Sequence, residues 1–372
     1  MPVRRRATMP DVAREAGVST MTVSYTFNRP ERVAAGTRRR VLDAAARLGY
    51  SGPDPSARSL RRGRTATLGV ILGEHLTYAF DDPQATQFLA GISTVCVEHE
   101  LGLTLIPITG GAQDATRVRE AAVDAVVLWT TVDDDPVLDA VLQRGLPAVV
   151  HGAPERPGIG LVAIDDRAAA RAVGTAAFAA ARTPAVLSFP LDRARRPGLS
   201  YGADPDAARF GVTRHRLHGF ADAAADLGLD WARVPVVVVA RNDRAEAGAA
   251  ALRLLDPDHR DGGAELDGGS GLDGGPGRDG GPGVDAVAAM SDEMALGVLH
   301  AARSLGTAVP SGLAVTGWDD SASAAAAGLT TVAHSLREQG ELCARAVLEP
   351  CSATVRTAPS WRLVTRASTR PG

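Results

Sequence analysis

From Thr67 onward, short apolar runs alternate with helical stretches along the chain. The apolar runs read TLGVIL, LTLIPI, AVVLW and PAVVH, and the pattern starts again after Thr183 with AVLSF and VPVVVVA. Strands that alternate with helices are typical of a parallel, doubly wound α/β sheet. Because the pattern occurs twice, it predicts two lobes with a cleft between them, where a small molecule can bind.

Two insertions interrupt this alternation. Residues 191–213 are longer than the usual connection and rich in Arg, Pro and Ala. Residues 257–283 include LDGGSGLDGGPGRDGGPG, whose composition cannot bury a core and predicts a disordered loop. Repeated acidic, glycine-rich units also occur in calcium-binding proteins, but those units have a nine-residue period that this segment lacks.

The first 50 residues show an all-helical pattern. Three helices are predicted around residues 10–16, 20–27 and 37–48. Gly17 breaks the first helix and Ser19 can cap the second, which is the arrangement of a helix-turn-helix unit that reads the major groove of DNA. In the third helix the spacing places Val41, Ala45 and Leu48 inward. A generic helical bundle with a solvated Arg face fits the composition equally well.

Charge is distributed unevenly along the 372 residues. The chain has 40 basic and 43 acidic side chains, a net charge of −3, and every basic residue is Arg. Residues 1–64 hold 14 Arg against 5 acids, a net of +9, which leaves −12 for the other 308 residues. A basic head on an acidic body indicates that one end of the chain meets a polyanion and the other does not.

Several classes of protein do not fit the sequence. No apolar stretch reaches the ~18–20 residues of a membrane span, and no apolar region follows Arg4–Arg6 as in a secretory signal. The cysteines Cys96, Cys343 and Cys351 show no metal-binding spacing and are expected to be free thiols in a reducing cytoplasm. We find none of the usual catalytic motifs, so we predict no enzyme activity and no cofactor.

Specific motifs decide between a DNA reader and a plain bundle. DVAREAGVSTMTVSYTFN (residues 11–28), RRRVLDAAARLGY (38–50) and PDPSARSLRRGRTATLGVIL (53–72) resemble the start of the lactose-repressor (LacI/GalR) family of bacterial regulators. MSDEMALGVLHAARSLG, LAVTGWDDS and LTTVAHSLREQG continue the resemblance, which covers nearly the whole chain outside the two insertions.

The resemblance implies a fold and a domain organisation. The fold is a two-lobed, periplasmic-binding-protein-like α/β core with an N-terminal, all-α helix-turn-helix domain. The implied boundaries are residues 1–52 for the DNA-binding domain, 53–65 for a hinge helix, and 66–372 for the part that binds an effector and dimerises. No heptad-bearing extension follows the final WRLVTRAST, so a homodimer is expected.

The resemblance also implies the residues that contact DNA. The family's base-reading positions fall on Thr20, Met21 and Tyr25. Its phosphate-contacting or turn-supporting positions fall on Ser19, Thr22, Ser24 and Asn28. Tyr25 stands where many members have Arg, so the operator sequence cannot be carried over. Met21 offers only apolar contact, and a partly buried filler is an equal alternative.

The hinge is expected to insert a side chain into the minor groove. The family's wedge residue matches Leu60, and Ala57 and Arg58 neighbour it. Such a wedge costs unstacking energy but kinks the duplex and increases contact. An ordinary linker is the alternative, with which Pro53 and Pro55 agree.

In the cleft, the resemblance implies a set of effector-binding residues. The matching positions are Arg216, Asp319, Ser291, His151 and His334, with Trp318 as a side chain on which a sugar ring can stack. Ser291 replaces an Asn that many sugar-binding members use, and His151 replaces an acid. A structural role in a loop or a helix cap is the alternative for Asp319, as is a satisfied core position for the two histidines.

Together these patterns predict a cytoplasmic, ligand-responsive transcriptional repressor. It would bind a pseudo-palindromic operator in double-stranded DNA as a dimer, with a small, sugar-like effector in the cleft and no contact with a membrane. The alternative is a small-molecule binding protein without DNA-dependent function, which the basic head disfavours.

Overall fold

The computed structural model describes residues 7–52, 64–256, 283–349 and 355–370. The chain divides into two compact units, Met1–Ala66 and Thr67–Gly372. The predicted hinge contacts Ala57, Arg58 and Leu60 lie outside the described residues, as do residues 257–282 of the glycine-rich insertion.

The described residues of the first unit form a bundle of three α-helices, α1 (Met9–Ala16), α2 (Thr20–Asn28) and α3 (Ala35–Leu48). Its core is formed by Val12, Ala13, Val23, Val41, Ala44 and Ala45. The prediction that Leu48 points inward is wrong, because its side chain is 38% exposed. The helix ends at Gly49, and Tyr50 turns back so that its ring meets Phe27 edge-on at 5.7 Å.

Over most of its described residues, the second unit alternates strands and helices. Its strands are β1 (Thr67–Leu72), β2 (Gly102–Pro107), β3 (Ala125–Trp129), β4 (Ala148–His151), β5 (Gly160–Val162), β6 (Pro184–Ser188), β7 (Gly198–Tyr201), β8 (Pro235–Val238), β9 (Ala286–Ala289), β10 (Ala314–Trp318), β11 (Thr330–Ala333), β12 (Arg356–Thr357) and β13 (Arg362–Val364). Its helices are α4 (Leu76–Asp81), α5 (Pro83–Glu98), α6 (Asp114–Glu120), α7 (Pro136–Arg144), α8 (Asp166–Phe178), α9 (Gly211–Asp226), α10 (Arg244–Leu255), α11 (Asp292–Ser304), α12 (Ala322–Ala326) and α13 (Leu336–Ala346).

These strands form two sheets, which define two lobes. Lobe 1 contains the sheet β12-β5-β4-β3-β1-β2, in which every pairing is parallel. Lobe 2 contains the sheet β13-β11-β10-β9-β6-β8-β7, which is parallel except for its two edge strands β7 and β13. The two-lobed, doubly wound fold predicted from the alternation is therefore confirmed.

The apolar side chains of the central strands, such as β3 and β6, are buried on both faces of each sheet. In lobe 2 the largest fully buried side chains are Trp318, Phe178 and Phe220, and in lobe 1 Phe88 and Ile92. The first insertion is ordered between residues 191 and 213, because β7 pairs with β8 and a turn leads directly into α9. No helix in the described ranges has both the length and the apolar character needed to cross a bilayer.

Candidate functional sites

In the first unit, α2 presents its N-terminal side chains to solvent. Gly17 has φ +67°, a conformation that permits the sharp turn before this helix. The Ser19 hydroxyl then accepts a hydrogen bond from the Thr22 backbone N–H at 3.1 Å and caps α2. Thr20 is exposed, and Met21 is exposed over 60% of its surface. A side chain this exposed does not fill the core of the first unit, and it is free to contact a partner.

Further along α2, polar side chains are held by the helix itself. The Asn28 amide donates to the Ser24 carbonyl at 3.0 Å and lies 3.3 Å from the Ser24 hydroxyl oxygen. Tyr25 is half-buried, whereas Thr26 is buried and donates to the Thr22 carbonyl at 2.9 Å. The predicted DNA-contacting residues of the first unit thus lie on α2 or cap it. Those at its two ends are exposed, and those in between are half-buried: Ser19, Thr20, Met21 and Asn28 against Thr22, Ser24 and Tyr25.

Arginines surround this helix on the surface of the first unit. Arg14 lies 3.3 Å from Asp11, and Arg47 lies 3.2 Å from Glu15. Five more arginines are exposed and form no ion pair with other described residues: Arg29, Arg32, Arg38, Arg39 and Arg40. Positive charge that is exposed and unpaired attracts the phosphate backbone of DNA.

In the second unit, a cavity lies between the two lobes at the carboxyl ends of their strands. The empty space in it is about 980 Å³, a volume that includes the open solvent at its mouth. Lobe 1 contributes Trp129 from the end of β3 and His151 from the end of β4. Lobe 2 contributes Phe189 and Asp319, which follow β6 and β10. Ligands of open α/β sheets commonly bind at this edge.

Arg216 is held rigidly in the wall of this cavity. Its Nε donates to Asp166 at 2.8 Å, and one terminal nitrogen donates to the Met290 carbonyl at 2.6 Å. Its guanidinium carbon lies 3.7 Å from the centre of the Trp318 ring, a cation–π contact. Arg216 is 7% exposed and lines the cavity.

A chain of hydrogen bonds crosses the cavity floor between the lobes. Asp319 Oδ1 lies 3.2 Å from His334 Nε2, and His334 Nδ1 lies 2.8 Å from the Gln339 amide nitrogen. The Gln339 amide oxygen lies 2.8 Å from His151 Nε2. Asp319 has φ +116°, an unusual conformation for a non-glycine residue and one that is common at functional sites.

Burial controls the charge of these groups. Desolvation lowers the pKa of both His151 and His334 to about 4, so both rings are neutral at pH 7. Desolvation also raises the pKa of Asp319 well above its usual range, although nearby Arg216 lowers it. The cavity floor therefore carries little positive charge of its own.

A second chain of hydrogen bonds links the lobes at the side of the cavity. Asp82 caps α5 of lobe 1 by accepting from the Gln84 N–H at 3.0 Å, and it also accepts from the Asn242 amide at 3.2 Å. The Asn242 amide oxygen accepts from the Ser291 hydroxyl at 2.5 Å. Ser291 in turn caps α11, since its oxygen accepts from the Met294 N–H. Ser291 is thus engaged structurally and does not line the cavity.

Some buried polar atoms of the cavity lack a partner among the described residues. They are Glu74 Oε2, Thr131 Oγ1 and His151 Nδ1. Desolvation raises the pKa of Glu74 to about 7, even though Arg195 lies 3.4 Å away and lowers it. Unsatisfied buried polar groups are costly, so such a cluster marks a place where a polar ligand compensates them.

The segment of residues 189–214, which we call the crossing segment, reaches from lobe 2 onto lobe 1. Phe210 forms an antiparallel β-bridge with Val132. Four arginines of the segment pair with acids of lobe 1: Arg193 with Asp135, Arg195 with Glu74, Arg209 with Asp134, and Arg214 with Asp133. The first insertion thus joins the two lobes beside the cavity through charge.

The structure brings together part of the predicted effector set. Arg216, Asp319, His151 and His334 line the cavity, whereas Ser291 and Trp318 do not, and Trp318 supports Arg216 from behind.

Sequence reasoning missed further cavity residues, namely Glu74, Asp82, Asp166, Asn242 and Gln339. Glu74 and Asn242 follow strand-like runs closely, a signal that could have found them. Gln339 lies inside a helix and shows no such signal. Among the described residues, no three His, Cys, Asp or Glu side chains are grouped as in a metal site.

Comparisons with known proteins identify the families to which the two units are similar. The family described as "Bacterial regulatory proteins, lacI family" matches residues 8–52, and the periplasmic binding protein-like domain matches residues 192–369. A protein of Mycobacterium tuberculosis named as an HTH-type transcriptional regulator is 36% identical over 352 residues, which span 93% of this chain and 92% of that protein.

Two solved structures share the fold. A complex of the transcriptional regulator CelR with cellobiose is 24% identical, has a TM-score of 0.63, and covers 98% of this chain and 100% of its own. The lac repressor dimer bound to operator and the anti-inducer ONPF is 19% identical, has a TM-score of 0.68, and covers 98% and 99%. At these identities the likeness concerns the fold alone.

Proposed function

Because the chain belongs to the lacI family of bacterial regulatory proteins and is a DNA-binding transcriptional regulator, we propose that it is a repressor controlled by an effector. In this proposal it binds a pseudo-palindromic operator as a homodimer in the cytoplasm. An uncharged, sugar-like molecule in the cavity of the second unit changes its affinity for the operator. The effector is bound and released unchanged, so the protein is not an enzyme.

The proposal depends on the presence of two features in one chain. The helix α2 exposes its N-terminal side chains, and the cavity of the second unit contains buried polar atoms that have no partner among the described residues. Glu74 and His151 belong to lobe 1, while Arg216 and Asp319 belong to lobe 2. A molecule with several hydroxyl groups can bond to all four. Such a ligand stabilises one arrangement of the lobes over another, and that difference in affinity is what shifts the equilibrium.

Repression by a dimer follows from this coupling. A change in the arrangement of the lobes alters the spacing of the two reading units and hence their fit to two half-sites. Two solved structures of similar fold support the choice of a sugar and an operator as ligands, since one contains cellobiose and the other contains operator DNA. Coupling is reciprocal, so an effector that weakens operator binding is itself bound less tightly on the operator.

Selection of an operator tests the proposal. The intact chain is used to select duplexes from a random library, and the affinity for the selected duplex is then measured with and without each member of a sugar panel. An effector is expected to change the affinity by about 5–150-fold. A chain lacking residues 1–64 is the control and should still bind the sugar without binding the duplex. If no sequence were selected, a small-molecule binding protein without DNA-dependent function would be the better interpretation.

The hinge prediction is tested by one substitution. Leu60→Ala is expected to weaken binding to the selected operator much more than binding to random duplex, because only a specific complex accepts the wedge. Equal losses on both duplexes would exclude Leu60 as the wedge.

The absence of enzyme activity is tested by chromatography of the sugar after incubation with the protein. Consumption of the sugar would favour an enzyme.

A further inference from the structure

Gln339 lies between the two histidines of the cavity floor and bonds to both. It belongs to α13 of lobe 1 and is 1% exposed. Its amide nitrogen meets His334 Nδ1 and its amide oxygen meets His151 Nε2, both at 2.8 Å. No other described side chain forms hydrogen bonds to both rings.

The chemistry of an amide gives this chain of hydrogen bonds a direction. An amide nitrogen only donates, so His334 Nδ1 accepts, and the proton of the neutral His334 ring resides on Nε2 and points to Asp319. An amide oxygen only accepts, so His151 Nε2 carries the proton of its ring. His151 Nδ1 is left as a bare acceptor, and this atom is buried, lines the cavity and has no partner among the described residues.

We propose that Gln339 is a specificity-determining residue, which holds His151 with Nδ1 as an acceptor so that the cavity selects an uncharged effector that donates a hydroxyl or amine hydrogen there. This inference rests on the proposed function, since it concerns the effector of the same cavity. A phosphate or carboxylate oxygen at this position would face the lone pair of Nδ1 without a hydrogen between them, and it would be rejected.

The pairing of the arginines around the cavity favours the same class of ligand. Two arginines line the cavity (Arg195 and Arg216), together with four carboxyl groups (Glu74, Asp82, Asp166 and Asp319). Both arginines already face carboxylates, Arg216 at 2.8 Å and Arg195 at 3.4 Å. An anionic effector would find no cation in this wall that lacks a counter-charge, so charge and hydrogen-bond direction favour the same class of ligand.

Nitrogen NMR of the imidazole rings tests the position of the proton without any ligand. The intact chain is labelled with ¹⁵N-histidine, and the signals of His151 are assigned by their loss in His151→Gln. We expect Nε2 protonated and Nδ1 unprotonated in the unsubstituted protein. In Gln339→Met, which keeps the volume but removes both hydrogen bonds, we expect a mixture of the two neutral forms. Gln87→Met, an exposed position on α5, should leave the His151 signals unchanged.

Ligand binding tests the effector class. Thermal unfolding of the intact chain is measured with ribose and cellobiose, other neutral sugars and polyols, and their charged partners such as ribose 5-phosphate and cellobionic acid. Only neutral members are expected to raise the unfolding temperature. Gln339→Met should weaken the best neutral member by roughly tenfold, as expected when a buried hydrogen bond is lost, and Gln87→Met should not weaken it.

Three results would overturn the inference. One is a proton on His151 Nδ1 in the unsubstituted chain. Another is a charged member that binds as tightly as its neutral parent, and the last is the absence of stabilisation by any neutral member. A different result would contradict the proposed function alone. In that case a neutral sugar would bind with the expected selectivity, but the affinity for the operator would be the same with and without the sugar.

Discussion

Arginine occupies opposite surroundings in the two units. In the first unit Arg38, Arg39 and Arg40 are exposed side by side at the start of α3 and pair with no described carboxylate. In the second unit Arg216 is 7% exposed and contacts a carboxylate, a carbonyl and an indole ring. One residue type therefore supplies a diffuse field in one place and fixed, directed hydrogen-bond donors in the other.

This difference separates two kinds of recognition. An exposed charge acts over about 10 Å at 0.1 M salt and does not depend on a single geometry, as binding along a phosphate backbone requires. A buried charge is stable only with its counter-charge in place, so its surroundings are rigid and selective. Substitutions in the two units should accordingly differ in size and in sensitivity to salt.

The largest effect is expected for Arg216→Ala. The substitution leaves Asp166 buried without its partner, which typically costs about 3–5 kcal/mol of folding free energy. We expect a large loss of stability and no response of operator binding to an effector, while operator binding without effector persists wherever the chain is folded. Denaturant unfolding and operator titrations measure the two quantities.

Arg171→Ala is the matched control for this prediction. Arg171 also pairs with an aspartate, Asp226 at 2.5 Å, but its side chain is 54% exposed. An exposed pair contributes little to the free energy of unfolding, because solvent screens both charges. If both variants lost the same stability, the distinction between buried and exposed arginines would not hold.

Glu74→Gln is expected to have the next largest effect, and it depends on pH. Burial raises the pKa of Glu74 to about 7 in the folded chain, above the ordinary 4.5. The folded state therefore binds the Glu74 proton more tightly than the unfolded state does. This contribution to stability is fully present below pH 4.5 and is lost as the pH rises through about 7. Removing the charge should stabilise the protein above pH 7 by about 3 kcal/mol at most, and hardly at all below pH 4.5.

Unfolding titrations at a series of pH values measure this difference. Glu98→Gln serves as the control, because Glu98 is exposed and its hydrogen bond to Arg345 lowers the pKa of its carboxyl. A stabilisation of Glu74→Gln that does not change with pH would mean that Glu74 is not protonated in the folded state.

Local patterns in the sequence predicted the fold well because each element depends on neighbouring residues. The apolar runs TLGVIL, AVVLW and AVLSF predicted β1, β3 and β6. The prediction that Leu48 is buried was wrong, because burial at a helix end depends on tertiary packing. Beyond the end of α3 it is Tyr50 that packs against Phe27, and Leu48 is exposed.

The cavity was less predictable, because it is assembled from residues far apart in the chain. The hydrogen bond between His151 and Gln339 joins positions 188 residues apart, and that between Asp82 and Asn242 joins positions 160 apart. No periodicity records such a contact. Family resemblance supplied His151, whereas Asp82 and Gln339 emerge only from the folded chain.

A smaller effect is expected when Arg38, Arg39 and Arg40 are all changed to Gln. Each phosphate contact contributes about 0.9 to the slope of the logarithm of affinity against the logarithm of salt concentration. The triple variant should lower that slope by about 3 at most, with unchanged stability and unchanged binding of an effector. Operator titrations between 50 and 200 mM salt give the slope. An unchanged slope would mean that these arginines do not approach phosphates.

The smallest effect is expected for Asp134→Asn in the acidic loop of lobe 1. Asp134 pairs with Arg209 of the crossing segment, and the two side chains are 68% and 53% exposed. Although Arg209 belongs to an Arg-rich segment, the exposure of the pair predicts only a slight loss of unfolding free energy, which should vanish in high salt. Denaturant unfolding at low and high salt measures it. A larger loss that persists in high salt would show that the crossing segment acts as a single fixed unit, so that even its exposed arginines behave like the buried Arg216.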